Sequence, residues 1–199
     1  MDKRESKKDH ILCNGIDVML AHGYNGTSVK DIVDASGVPK GSFYNYFDSK
    51  ESFAVEALSK VGNDSLDFIR GHFSKQNIST HEKFASFFNA LQNFACDQGY
   101  SGGCFLGNMS QEMADNSEQI RHKLKFVVSQ KVRIFQDALD QAKENGEILE
   151  SIDTSAMAEF IYNAWQGTIN RMKTEKSCEP YTAFMAILPT LFISSSKHS

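Results

Sequence analysis

The stretch GVPKGSFYNYFDSKESF, residues 37–53, interleaves small, basic, hydroxyl-bearing and aromatic side chains. Its apolar residues Val38, Phe43 and Phe47 recur four to five positions apart, which turns them toward one side of a helix. The polar residues between them then face outward; they are Lys40, Ser42, Tyr44 and Asn45. Ammonium, hydroxyl and amide groups hydrogen-bond to phosphate oxygens and to base edges. The pattern is therefore typical of a helix that contacts nucleic acid.

The elements that must position these side chains are two short helices joined by a glycine turn. Thr27 or Ser28 can cap the first helix, VKDIVDA, and Gly37 can adopt the positive φ of the turn. We expect a second helix over residues 39–47, with its proline in the first turn. Gly41 would let the backbone approach DNA closely, and a lysine beside it can reach guanine O6 and N7. This spacing predicts a helix-turn-helix over residues 29–48.

The remaining chain also reads as helices, because apolar residues recur at helical spacing and no β-hairpin signal appears. The predicted fold class is all-α. The helices before residue 50 are short and those after it are long. We expect a three-helix DNA-binding head over residues 6–66 and a larger helical body over 67–199, joined within the fourth helix.

Composition restricts the class of protein less than the motif does. The chain has 199 residues and a net charge of −4, and this acidity lies beyond residue 50, so bulk charge neither supports nor excludes nucleic acid. No apolar run approaches the roughly 20 residues of a membrane span, and no signal peptide is evident. The cysteines lack the spacing of a zinc site. We expect a cytoplasmic protein with free thiols, no metal, no cofactor and no membrane contact.

The segment TSVKDIVDASGVPKGSFYNYFDSKESF resembles the DNA-binding signature of the TetR family of bacterial transcriptional regulators, and the match runs from Ile11 to Leu58. The resemblance implies a homodimeric, non-enzymatic repressor that binds a palindromic double-stranded DNA operator. Its larger body would bind an inducer and form the dimer. The DNA contacts that the resemblance implies are Ser28, Lys30, Lys40, Gly41, Ser42, Tyr44, Asn45, Tyr46 and Lys50.

Individual roles follow from the chemistry of these side chains. Lys30 and Lys40 suit base edges, whereas Ser28, Ser42, Tyr46 and Lys50 suit phosphates. A basic arm formed by Arg4, Lys7 and Lys8 would add phosphate or minor-groove contacts whose strength depends on salt.

A second candidate site surrounds Cys104, which follows Ser-Gly-Gly at a predicted helix start, where a thiolate is favoured. The segment GYSGGCFLGNMSQEMAD resembles a TetR subgroup, typified by the N-ethylmaleimide reductase repressor, that responds to electrophiles. In that subgroup a lysine accompanies the cysteine, and Lys173 is its match here. Cys104 is therefore either a sensor of electrophiles and oxidants or a small core residue. Cys13 lies on an apolar helix face and is predicted to be core.

Other functions remain open from the residues alone. A reversible apolar inducer could bind among large flexible side chains such as Phe105, Met109 and Trp165, although such residues also form ordinary cores. An enzyme with Cys104 as nucleophile would need a base such as His122 or His81. A helical adaptor that binds only protein would not need the outward Lys40, Tyr44 and Lys50. The predicted function is a regulator that leaves its operator on binding a small molecule or on modification of Cys104.

Overall fold

The computed structural model describes residues 3–192, with side chains from residue 6 onward, and that part of the chain is helical without β-strands. The predicted all-α fold class is thus confirmed. The helices are α1 (Lys3–His22), α2 (Val29–Ala35), α3 (Lys40–Tyr44), α4 (Lys50–Phe73), α5 (Thr80–Asp97), α6 (Phe105–Met113), α7 (Glu118–Glu144), α8 (Thr154–Glu175) and α9 (Glu179–Ile187), and a 3-10 turn follows at Leu188–Leu191. None of the helices within residues 3–192 is long and apolar enough to cross a membrane.

Local sequence explains where several helices begin and end. Ser28 caps α2 in a capping box with Asp31, and Ser79 caps α5 in the same way with Glu82. The α1 helix ends at Gly23, which adopts a φ of +77° that other residues rarely tolerate. The long α7 helix stops just before Gly146, as its apolar pattern predicts.

The chain folds as two compact units. The first contains the residues up to Asn63 together with Cys104–Val127, so α6 and the start of α7 belong with the helix-turn-helix. Its core includes three fully buried rings, Phe43, Phe47 and Phe53, whose centroids lie 4.9–5.6 Å apart. Aromatic packing of this kind adds about 0.5–1.5 kcal/mol per pair beyond the burial of area. The helix-turn-helix is therefore attached to a closely packed aromatic core.

The second unit contains Asp64–Gly103 together with the residues from Val128 onward. Its core is a continuous aromatic cluster in which Phe84, Phe88 and Phe135 pack on one another. Trp165 of α8 extends this cluster, with its ring centroid 5.0 Å from that of Phe88. A capping contact also closes this unit, because the Glu147 carboxylate accepts a 2.6 Å hydrogen bond from the Thr80 N–H.

Two expectations about local structure are corrected. Cys13 was predicted to be core, but its side chain is exposed, because it lies beside rather than on the buried face of α1 that Ile11 and Leu12 form. The second helix of the helix-turn-helix is also shorter than residues 39–47. Pro39 takes an extended conformation at the N-cap, and α3 ends at Tyr44. Asn45 and Tyr46 continue as a turn.

Replacement of Gly15 tests how tightly the head is packed. A Cβ atom on Gly15 would lie 2.4 Å from Cζ of Phe53 and 2.9 Å from Cγ2 of Ile32. Both residues are fully buried, so we expect Gly15→Ala to lower the free energy of unfolding by about 1–3 kcal/mol. Gly71→Ala, in open space within α4, should instead stabilise by up to about 1 kcal/mol. Denaturant titration measures both, and equal effects would contradict the packing argument.

Candidate DNA-binding surface

The α3 helix divides its side chains between the core and solvent. Phe43 is fully buried in the core of the first unit, whereas Tyr44 is 51% exposed with its ring edge against Phe43, at a centroid distance of 5.4 Å. Lys40 and Asn45 are exposed, and Ser42 is partly exposed. The structure therefore brings these predicted contacts together on one outward surface, held from below by a buried ring.

Gly41 lies in open space, since a Cβ atom added there would meet nothing within 4 Å. Nothing within the described chain thus requires a glycine at this position. A glycine at an exposed helix start is useful where another molecule must approach the backbone closely. The close approach to DNA that we expect at residue 41 stays a prediction.

Ser28 and Lys30 lie at the start of α2, and both side chains already make hydrogen bonds within the protein. The Ser28 hydroxyl donates a 2.7 Å hydrogen bond to the Asp31 carboxylate and accepts from the Asp31 N–H. The Ser28 hydroxyl and the Ser28 N–H both donate to the Asp31 carboxylate and hold the pKa of this carboxyl below its usual value. Lys30 is exposed and pairs with Asp34 at 2.5 Å, and this hydrogen bond raises the pKa of the lysine. Exposed pairs contribute little, so Lys30 can exchange Asp34 for another acceptor at small cost.

Lys50 is directed toward the protein. Its ammonium donates hydrogen bonds to the carbonyl of Tyr24, at 3.0 Å, and to that of Thr27, at 2.9 Å. It also lies 4.1 Å from the centroid of the Tyr24 ring. Burial lowers the pKa of the Lys50 ammonium, and the negative charge of Glu112 opposes this effect. In this structure Lys50 stabilises the turn between α1 and α2 (residues 23–28, called the α1–α2 turn below) rather than standing free for a phosphate.

Glu112 of α6 holds the same turn from the other side. Its carboxylate accepts hydrogen bonds from the N–H groups of Tyr24, at 3.2 Å, and Asn25, at 2.9 Å. A second link in this unit joins the Ser117 hydroxyl to the Glu51 carboxylate. Sequence reasoning missed Glu112, because no local pattern connects it with a turn that precedes it by more than eighty residues. The α1–α2 turn is thus clamped by one acid and one lysine.

The residues predicted to sense an inducer fall in different units. Cys104 occupies the N-cap of α6, is half-buried and packs against the core of the first unit. Phe105 and Met109 are buried in that same core. Trp165 lies in the core of the second unit, and Lys173 is exposed in the last turn of α8. Within the described residues, no group of three or more His, Cys, Asp or Glu side chains could hold a metal ion.

Two family models match this chain. The model described as bacterial regulatory proteins, tetR family, matches residues 11–57, which include the helix-turn-helix. The model described as tetracyclin repressor-like, C-terminal domain, matches residues 81–188. The chain belongs to the TetR family. The family that the sequence resembled is therefore confirmed, and with it the interpretation as a DNA-binding transcriptional regulator.

Relatives of this TetR family protein agree over almost its whole length. It is 31% identical over 195 residues to the HTH-type transcriptional repressor DhaR of Mycobacterium sp. strain GP1, covering 98% of this chain and 96% of the relative. It is 25% identical over 173 residues to the HTH-type transcriptional repressor NemR of Escherichia coli K12, covering 87% of each. These relatives are named as repressors and not as enzymes.

Solved structures show the same fold. Regulatory protein TetR from Rhodobacter sphaeroides superposes with a TM-score of 0.88 at 25% identity, covering 93% of this chain and 98% of that one. The reduced form of E. coli NemR superposes with a TM-score of 0.89 at 24% identity, covering 96% and 99%. The TetR family fold therefore extends through both the head and the body of this protein.

Replacement of the two lysines by methionine separates their roles. Lys50→Met keeps the aliphatic stem but removes the lysine donor from the carbonyls of Tyr24 and Thr27, of which that of Tyr24 still accepts from the Thr27 N–H. We expect it to lower the free energy of unfolding by about 1–3 kcal/mol. Lys40→Met, at an exposed site, should change it by less than about 0.5 kcal/mol. Denaturant titration of both variants checks this, and a stable Lys50→Met protein would show that the clamp is unimportant.

Proposed function

We propose that this TetR family regulator is a homodimeric repressor that binds a palindromic operator through α3 and leaves it when an inducer acts on the α6 region. The observation that carries the proposal is the two-sided α3 helix, with Phe43 buried and Lys40 and Tyr44 exposed. A helix held in this way can enter a major groove without losing its own packing.

The contacts we assign on DNA follow from exposure. Lys40 and Lys30 are exposed and long enough to reach base edges, while Tyr44 and Asn45 lie beside Lys40 on the same surface. Ser42 and Tyr46 are partly exposed and suit phosphates, as does the backbone at Gly41. Two of the predicted phosphate ligands act differently in this proposal. Ser28 caps α2, and Lys50 orients the α1–α2 turn.

The basic arm contributes less than its sequence indicated. The Lys8 ammonium pairs with Glu56 at 2.5 Å and lies 5.4 Å from the Phe47 ring centroid, so it helps to attach α1 to α4. Lys7 is exposed and remains a candidate for a phosphate contact. The side chain of Arg4 lies outside the described residues.

The homodimer is supported by the apolar surface of α8 and α9. Phe160 and Ile187 are each 56% exposed, and both line the same apolar surface. Between them lies a groove of about 320 Å³, lined mainly by apolar residues of α8, α9 and the following 3-10 turn. Two copies of this surface would bury each other as a four-helix interface, which suits a two-fold dimer on a palindrome.

The proposed release mechanism uses contacts within the first unit alone. Cys104 begins α6, and Glu112 near the end of the same helix binds the α1–α2 turn. Alkylation or oxidation of Cys104 adds bulk at the half-buried N-cap, where Phe105 and Leu106 fill the adjacent core. Displacement of α6 would draw Glu112 from its two N–H partners and reorient the helix-turn-helix. A reversible ligand that enters beside Phe105 and Met109 is the alternative trigger.

Gel-shift titration with DNA from the regulator's own promoter region tests DNA binding. Lys40→Ala should weaken the specific complex by roughly 5- to 150-fold and reduce discrimination at one base pair of each half-site. Lys125→Ala, at an exposed position of α7 outside the helix-turn-helix, is the matched control and should bind like the wild type. Equal effects of the two substitutions on operator binding would show that α3 does not recognise the operator sequence.

The same titration reports on the dimer. The specific complex should contain two protomers, and Phe160→Glu should yield monomers in sedimentation with a loss of operator binding at nanomolar concentration. Retention of a two-protomer complex by this variant would place the interface elsewhere.

Release by an electrophile tests the role of Cys104. N-ethylmaleimide should dissociate the wild-type complex, because the thiol at the N-cap of α6 is alkylated. Cys104→Ser should stay bound under the same treatment, and Cys13→Ser, which removes an exposed thiol of α1, should dissociate like the wild type. Equal release of Cys104→Ser and wild type would contradict a role for Cys104 and favour a reversible ligand as the inducer.

A further inference from the structure

The end of α5 turns back on itself in a way that brings a tyrosine toward a cysteine. The N–H of Gly99 donates to the carbonyl of Cys96 at 2.8 Å, and the N–H of Tyr100 donates to the carbonyl of Ala95 at 2.7 Å. These two bonds form a Schellman motif. Gly99 has a φ of +58°, and Tyr100 has one of +54°, which is uncommon for an aromatic residue. The chain therefore reverses directly after α5, at Gly99 and Tyr100.

A second segment of the same unit is attached to this turn. The Lys176 ammonium donates to the carbonyl of Tyr100 at 3.1 Å and to the hydroxyl of Ser101 at 3.3 Å. Lys176 ends α8 in a left-handed conformation, and two residues later Cys178 forms the N-cap of α9. These bonds hold the connection between α8 and α9 against the end of α5.

The Tyr100 hydroxyl interacts with both thiols. Its pKa is raised to about 12, chiefly by a hydrogen bond with Cys96 and further by burial and by Cys178. The hydroxyl therefore keeps its proton at physiological pH and can donate it to a thiolate. The bond from Gly99 to Cys96 and the two bonds from Lys176 place the chain segments that carry the two cysteines at the same turn. Both cysteines are exposed, so a small oxidant can reach them.

We propose that Cys96 and Cys178 form a redox-active thiol pair that hydrogen peroxide converts into an intramolecular disulfide, with Tyr100 as the hydrogen-bond donor between them. One thiolate attacks a peroxide oxygen, the O–O bond breaks, and a sulfenic acid forms with release of water. The second thiolate attacks that sulfur, the S–S bond forms, and the S–O bond breaks to release a second water. The pair loses two electrons and two protons in total.

This site is separate from Cys104, which belongs to the first unit. A disulfide would fasten the end of α5 covalently to the start of α9, in addition to the Lys176 hydrogen bonds that hold the connection between α8 and α9 to this turn. The inference concerns the thiols alone and holds whether or not Cys104 controls DNA release. Sequence spacing contained no sign of it, since the two cysteines are far apart and neither belongs to a motif.

The test uses the full chain with Cys13→Ser and Cys104→Ser, so that Cys96 and Cys178 are the only thiols. Hydrogen peroxide should remove both free thiols together, and dithiothreitol should restore both. Non-reducing electrophoresis should show a single-chain species, and peptide mass spectrometry should show residues 96 and 178 linked. Stepwise oxidation to sulfinic acids, or cross-links between chains, would overturn the proposal.

Tyrosine substitutions in the same background test the hydrogen bond. Tyr100→Phe should slow thiol loss about tenfold, because a hydrogen bond to a charged group is lost. Tyr181→Phe is the matched control, since that hydroxyl donates to Asn89 and not to a thiol. In 8 M urea all variants should react alike, which separates this effect from a general change in reactivity. Equal rates of thiol loss for both tyrosine variants in the folded state would show that Tyr100 does not assist the reaction.

Discussion

The α1–α2 turn is the constraint on which the DNA-binding surface depends. Its exposed-chain geometry leaves the N–H groups of Tyr24 and Asn25 and the carbonyls of Tyr24 and Thr27 outside any helix ladder. Glu112 accepts from the two donors, and Lys50 donates to the two carbonyls, of which that of Tyr24 also accepts from the Thr27 N–H. Leaving a part-buried polar group unpaired costs about 1–3 kcal/mol. Loss of the clamp would therefore remove a large part of a free energy of unfolding of about 5–15 kcal/mol. The position of α2, and through it α3, follows from this turn.

The clamp also explains why α6 belongs with the head rather than with the rest of the body. α6 is only nine residues long, and both the N-cap Cys104 and the clamp residue Glu112 lie on it, about two turns apart. A short rigid helix moves as one piece, so a chemical change at one end is felt at the other. In this arrangement, sensing would require no path through the second unit.

Aromatic residues serve different purposes in the two units. In the first, Phe43, Phe47 and Phe53 anchor α3 and the turn after it, and polar residues between them such as Lys40, Tyr44 and Asn45 are left exposed. In the second, the rings of Phe84, Phe88 and Trp165 form a continuous core, while Phe160 and Ile187 remain exposed on α8 and α9. Large apolar side chains outside a core favour burial against another surface, which is the basis for the proposed dimer.

Much of this protein follows from its sequence, because helical periodicity, serine caps and glycine turns are local signals. The all-α class, the helix-turn-helix, the capping of α2 by Ser28 and the position of Cys104 at a helix start all rest on neighbouring residues. Tertiary structure alone decided that Lys50 faces inward, that Glu112 binds the α1–α2 turn, that Cys13 is exposed and that Lys176 binds the turn at Tyr100. Each of these depends on which distant segment packs beside the residue. Periodicity specifies the buried side of a helix but not the element that covers it.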